Sequence, residues 1–418
     1  MASNSRLTEA EPLIHRLENG MVLVAEQVPS MQSAALTLLA PSGYASDPGD
    51  RLGLSSLACD MVMRGAGERD GRALINDLEI LGVERGESVG ASQTSFSAAT
   101  LSDSLPETLA IYADIVRRPR LPEGETEAAR LVCLQELGGI EDEPGQRLMV
   151  ELRRRSYPEP WGRSSHGDEA GIQACSTGDV RRHVANRFRP NGAILGVAGR
   201  IEWDALREYA ERLFGDWATV DRPEALQAAA VERPLHTDYE SNQCHIGIAF
   251  PSVPYNHDDY LKSWAAIGVL GGGSSSRLFT EVREKRGLCY TVSASLQTQR
   301  DRARVLCYAG TTAERAQETL DVMREELARL AAGITQGELD RLKARIKSGL
   351  IMQQESTASR SGSIARDWYH LGRVRPLAEL SARVDELTAE SINGYLSEHP
   401  PREFTFATLG PQPLEIAP

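Results

Sequence analysis

Two residues with donors to offer stand seven apart in RLFTEVREKRGLCY, residues 277–290: Arg283 and Tyr290. Between them Gly287 ends a helical run of charged residues, and the alternation of CYTVSASLQT (289–298) predicts a strand. An Arg near a helix end and a Tyr at a strand start can converge at one end of the two elements. Together a guanidinium fork and a phenol would grip a carbonyl or an oxyanion. Plainer readings stand beside that one. Arg283 suits the helix dipole, and Tyr290, sharing the face of Val292, Ala294 and Leu296, reads as a core aromatic.

Other local chemistry is sparse. None of the eight histidines lies three or four residues from another, so neither HExxH nor HxxEH is present and no helix offers two imidazoles to one metal. His15 in HRLE stands alone, and no Ser sits in a GxSxG elbow. GGGSSS (271–276) lacks the Lys and the preceding strand of a phosphate loop. It reads as a turn or as backbone surface for a peptide.

The elements that would position these residues come in two series. Strand patterns at 21–28 and 33–43 precede helices at 52–67 and about 70–81, a strand-like Ser/Thr stretch at 88–102 and a helix at 105–119. A long helical pattern, 125–151, is interrupted near Pro144, and GAILGVAG (192–199) reads as a buried strand. The order then repeats: a strand at 243–253, a helix closed by three glycines, a helix over 277–286, strands at 289–298 and 304–312, and helices near 313–332, 336–354 and 357–371. This predicts an α+β fold of two similar halves, each a mixed sheet flanked by helices. The run 219–235, with Pro223 and Pro234, reads as a linker between an N-terminal domain, 12–218, and a C-terminal domain, 236–415.

Composition excludes several classes. A length of 418 residues suggests two or three domains, and the hydrophobic share of 41% is ordinary for a globular chain. A net charge of −13 speaks against nucleic-acid or anionic-membrane binding, and Arg153–Arg155 reads as a solvated helix face. Six scattered cysteines form neither a CxxC pair nor a disulfide framework and read as small buried residues. No apolar run spans a bilayer, and MASNSRLTEAEP has no signal-peptide core. A cytoplasmic place is expected, or a periplasmic one if a leader has been removed.

Six separated stretches, in order, resemble the pitrilysin/insulinase/mitochondrial-processing-peptidase family of zinc peptidases. They include SAALTLLAPSGYASDPGDRLGLSSLACDMVMRG, GVERGESVGASQTSFSA, VCLQELGGIEDEPGQRL, SYPEPWGRSSHGDEAGI and GGGSSSRLFTEVREKRGLCYTVSAS. The likeness spans about 12 to 410. Where active members carry HxxEH, this chain reads Ser56-Leu57-Ala58-Cys59-Asp60. Ser56 and Asp60 replace the histidine ligands, Cys59 replaces the water-activating Glu, and Glu136, 76 residues past Asp60, matches the third ligand. Such a degenerate site is not expected to hold zinc or to cleave peptides alone.

The Arg–Tyr spacing, by contrast, matches the family's substrate-holding pair. The resemblance therefore implies a non-catalytic, substrate-binding subunit of a heterodimeric metallopeptidase, one half of a clamshell around a chamber. It has no cofactor of its own; zinc and HxxEH would come from a homologous partner, and Arg283 and Tyr290 would act in trans on a peptide or unfolded segment. Gly271, Gly272 and Gly273 resemble in position the glycine-rich loop of the non-catalytic processing-peptidase subunit, which makes them candidate substrate contacts. The alternatives are a structural subunit of a larger complex and a metalloenzyme built on Cys59, Asp60 and Glu136.

Overall fold

In this computed structural model residues 11–221 and 235–416 are described, and their contacts group them into two units. The first holds 11–137, 165–221 and 350–381; the second holds 138–164, 235–349 and 382–416. The units therefore differ from a sequential division into 12–218 and 236–415 by two exchanged segments, each carrying a helix. Most of the stretch read as a linker lies outside the described residues.

The first unit contains β1 (Leu13–Arg16), β2 (Val22–Gln27), β3 (Ser33–Ala40), the two-residue strands β4 (Gly65–Ala66) and β5 (Arg69–Asp70), β6 (Glu84–Val89), β7 (Thr94–Leu101) and β8 (Ile194–Gly199). Six of them form one sheet in the order β1-β2-β8-β3-β7-β6, antiparallel except for the β2–β8 pair. The central strand β3 is buried from Ala34 to Ala40 and apolar there except for Thr37, because both of its faces are covered. Leu36 and Leu38 join the core formed with α1 (Leu54–Val62) and α3 (Leu105–Arg117), which flank α2 (Gly71–Ile80) in sequence. Leu39 faces the other way. With Val22, Val24 and Ile194 it packs on Ile364, Ala365 and Trp368 of the helix Thr357–Leu371, contributed by the C-terminal part of the chain. Gly196 lets that helix approach: a Cβ there would stand 2.5 Å from the Ser361 carbonyl oxygen and 2.9 Å from the Ala365 Cβ. Thr37 and Ser361 hydroxyls bond across the contact at 3.0 Å.

The long helical pattern of 125–151 breaks into α4 (Thr126–Glu141) and α5 (Pro144–Ser156), with Pro144 in the first turn of the second helix, where its missing N–H costs nothing. α5 belongs to the second unit. There β9 (His236–Asp238), β10 (Gln243–Ser252), β11 (Cys289–Thr298), β12 (Ala303–Thr312) and β13 (Thr405–Gly410) form a sheet in the order β11-β12-β10-β13-β9. Its one parallel pair, β13–β9, has its counterpart in the β2–β8 pair of the first sheet. Leu148 and Leu152 of α5 pack on Ala249, Leu306, Ala407 and Leu409.

One further expectation is corrected, and several elements went unread. Arg153–Arg155 is not a solvated face: the three side chains are half-buried, Arg153 donating to Gln297 at 3.1 Å and Arg155 to the Phe406 carbonyl at 2.9 Å, because α5 lies against the sheet. Helix Ala389–Glu398 and strand β13 of the second unit, and helix Leu377–Glu386, within which the division between the units falls, were not read from the sequence. Neither were the short helices Glu169–Ala174 and Thr177–Arg187 of the first unit. Among the described residues no helix is long and apolar enough to cross a membrane, and all six cysteines are buried and unbridged.

Candidate functional site

Ser56, Cys59 and Asp60 sit on α1. Its apolar positions Leu54, Leu57, Ala58, Met61 and Val62 recur at helical spacing and are all buried, which fixes the rotation of the helix. Its start is pinned by Asp47, almost wholly buried, whose carboxylate accepts from the Gly53 and Ser55 backbone N–H groups at 3.0 Å and from the Ser55 hydroxyl at 2.5 Å. Gly53 has φ +99°, and a Cβ there would strike Ile172 at 2.7 Å.

That rotation turns Ser56, Cys59 and Asp60 toward a cavity of about 1230 Å³ within the first unit, which Cys133 and Glu136 of α4 and Ser165 and His166 also line. The fold thus brings all four residues of the degenerate site to one place. Each is differently engaged. Ser56 Oγ donates to the Ser165 carbonyl at 2.5 Å. Asp60 Oδ1 is ion-paired with Arg64 Nε one helical turn on, and Arg64 Nη1 reaches Glu125 at 3.0 Å. Cys59 is buried, and desolvation, followed by Glu87 and Asp60, pushes its thiol far above the ordinary range. Burial likewise pushes Cys133 up to about 12, with Asp60 and Glu136 adding to it. Raised in this way, neither free thiol is a ready nucleophile.

Arg283 and Tyr290 lie in the second unit, and two irregularities bring them together. The helical turn Phe279–Glu284 is a π-helix, in which the Lys285 N–H donates to the Thr280 carbonyl five residues back at 2.9 Å. Buried Leu278 and Val282 anchor one side of the turn, and Gly287, at φ +57°, closes it. In β11 the pairing with β12 skips from Cys289↔Thr311 to Thr291↔Gly310, so Tyr290 is the extra residue of a β-bulge. The expected face shared by Tyr290, Val292 and Ala294 is corrected here. The bulge shifts the alternation by one, so Val292 and Ala294 are buried while Tyr290 is 84% exposed. Arg283 Cζ lies 5.3 Å from the Tyr290 ring centroid and 4.8 Å from that of Phe279. Among the described residues neither the guanidinium nor the phenol has a hydrogen-bond or ion-pair partner. The stretch's acidic group, Glu281, is engaged elsewhere, by Lys285 at 2.8 Å and Arg286 at 2.9 Å, and these bonds hold its carboxyl below the usual range.

The three glycines sit differently. A Cβ on Gly271 would overlap the backbone of Ala294 in β11, so this glycine lets the helix Tyr260–Gly271 meet the strand. The Gly272 carbonyl accepts from Arg345, whose side chain also covers Gly273.

Residues 22–165 match the family model described as "Insulinase (Peptidase family M16)", and residues 174–346 match "Peptidase M16 inactive domain". The chain belongs to the insulinase, or M16, peptidase family. Its relatives include an "Uncharacterized zinc protease" of Rickettsia felis, 24% identical over 96% of this chain and 98% of that one. Another is the "Uncharacterized zinc protease YmxG" of Bacillus subtilis, 25% identical over 94% and 97%. The same fold occurs in an M16 inactive domain from Pseudomonas fluorescens (TM-score 0.84, 22% identity, 97% of this chain and 99% of that one). A protease from Helicobacter pylori also shares it (TM-score 0.87, 18% identity, 96% and 100%).

Within this M16 chain the inactive-domain match includes both Arg283 and Tyr290, and the insulinase match includes Ser56–Asp60 and Glu136. The zinc that the family implies does not fit the donors present. The Ser56 hydroxyl and the Asp60 carboxylate are already bonded, and Ser, Cys and Asp stand where a His₂Glu site needs two imidazoles. Among the described residues no three His, Cys, Asp or Glu side chains are grouped to hold a metal ion. Two participants escaped the sequence reading. Arg64 follows Asp60 by four, a legible i,i+4 pair. Phe279 precedes Arg283 by four, legible in the same way once the stretch is taken as helical.

Proposed function

We propose that this M16 chain is the non-catalytic, substrate-holding subunit of a two-chain zinc metallopeptidase. In this reading it carries no zinc and lends Arg283 and Tyr290 to the zinc site of a homologous HxxEH-bearing subunit. The observation that carries the proposal is the state of the pair. A guanidinium and a phenol are stacked, partly or wholly exposed and without acceptors among the described residues, and both a π-turn and a bulge contribute to the arrangement. Such irregularities cluster at functional sites.

Tyr290 would donate to the oxygen of the scissile carbonyl as negative charge gathers there. Arg283 would hold a neighbouring carbonyl and fix the register of the peptide. The partner would supply the metal and the water-activating Glu.

The test is reconstitution. This chain and an HxxEH-bearing M16 homologue are purified separately and assayed on a mixture of unstructured peptides, alone and combined. Cleavage that rises on mixing supports the proposal. Cleavage by this chain alone, or no change on mixing, contradicts it.

A further inference from the structure

Arg283 would be of little use as a peptide clamp if its long side chain wandered, and four rotatable bonds give it ample freedom to do so. Two aromatic faces restrain it. Phe279, half-buried and one helical turn before it, lies 4.8 Å from the guanidinium carbon, and Tyr290 lies 5.3 Å from it. Carboxylates give no competing hold. Glu281 is bonded to Lys285 and Arg286 and also faces Arg329 at 3.9 Å, while Glu284 makes no pair with Arg283 among the described residues. A salt bridge would occupy the N–H groups needed for a substrate. A ring face holds the cation by its flat side and leaves the N–H edge open.

We infer that Phe279 is a positioning residue: its ring and that of Tyr290 sandwich the Arg283 guanidinium and hold its donor edge toward a peptide carbonyl. This rests on the role proposed for Arg283, but the sandwich itself is observable without a partner.

The experiment is ¹⁵N–¹H NMR of the arginine side chains in the full-length protein, with the Arg283 signal identified by its loss in Arg283→Lys. A guanidinium between two rings is shifted upfield by ring currents, and its rotation is slowed. We expect that signature in the unaltered protein. In Phe279→Leu, which keeps an apolar side chain without a ring face, it should be reduced, and in Phe279→Trp it should be retained. In the reconstituted peptidase Phe279→Leu should raise KM about two- to fivefold, the size of one exposed cation–π contact, and Phe279→Trp should restore it.

An Arg283 signal at the position of a free arginine in the unaltered protein overturns the inference, whatever the variants do. So does a signature unchanged in Phe279→Leu. If turnover depends on Arg283 but not on Phe279, the positioning role fails and the role of Arg283 stands. If the sandwich is confirmed while Arg283→Ala leaves turnover unchanged, the role of Arg283 fails instead.

Discussion

The guanidinium of Arg283 lies over the ring of Tyr290, 5.3 Å from its centroid, across a glycine-closed helix end and a strand start. A regular strand would have placed Tyr290 on the face of Val292, in the core. The bulge turns it outward, and Thr291 is exposed beside it. Deleting Thr291 should close the bulge and set Tyr290 opposite Gly310, on the exposed face that Thr291 now occupies, so the ring should stay open to a soluble collisional quencher. Tyrosine emission followed against a Tyr290→Phe control reads this directly. A ring shielded from the quencher would contradict the pairing of Thr291 with Gly310.

The donors on α1 and α4 lead to a second expectation. The purified chain, dialysed against buffer and measured by elemental analysis, should hold close to no zinc, and Glu136→Gln should change neither zinc content nor stability noticeably. One zinc per chain, lost in Glu136→Gln, would revive a site built on Cys59, Asp60 and Glu136.

The third concerns pH. His183 is fully buried with its Nε2 2.8 Å from Ser42 Oγ, and desolvation, helped by Arg187, pushes it down to about 3 from 6.5. His245 is lowered by burial in the same direction. In the unfolded chain both take up protons below about 6.5, whereas folded His183 does not until about 3. Its contribution is therefore fully present above 6.5 and is lost as pH falls toward 3. The slope is about 1.4 kcal/mol per pH unit for one such group. Denaturant unfolding at several pH values should show it, and His183→Gln should flatten the acid limb. An acid limb of equal slope in the variant would assign the loss to other groups.

The exchanged helices yield a fourth. Residues 1–218 alone lack the helix Thr357–Leu371, which would leave Val22, Val24, Leu39 and Ile194 uncovered. That fragment should be unfolded or aggregated by circular dichroism and size-exclusion chromatography. In the whole chain, Gly196→Ala should cost about 1–3 kcal/mol, because the added methyl overpacks the seam against Ser361 and Ala365. A stable, monomeric fragment would mean that this seam is dispensable.

Much of this was legible in the sequence, and the part that was not has physical causes. The strands around β3 and β10 declared themselves by apolar runs, and the halt at Pro144 marked the end of a helix. The exchange of α5 and the helix Thr357–Leu371 between units is a matter of which sheet a face covers, and local periodicity carries no such information. Short helices near the C-terminus bury little, so no single apolar face marks them: in Leu377–Glu386 only Val384 is buried. At the site, the spacing of Arg283 and Tyr290 raised the question, and the stretches resembling the M16 family supplied the role proposed for the pair. The π-turn and the bulge were invisible, because each inserts a residue into a regular pattern that the sequence alone continues to suggest.

The central claim is that this chain lends donors to another chain's metal site, and Tyr290→Phe tests it most directly. The variant removes one hydroxyl and leaves the ring that Arg283 stacks on. In the pair reconstituted with an HxxEH-bearing homologue, kcat for peptide cleavage should fall about 10- to 1000-fold, toward the range of a lost oxyanion donor, with association of the two chains unchanged. A reconstituted pair that turns over at the same rate with Phe at position 290 would contradict the account.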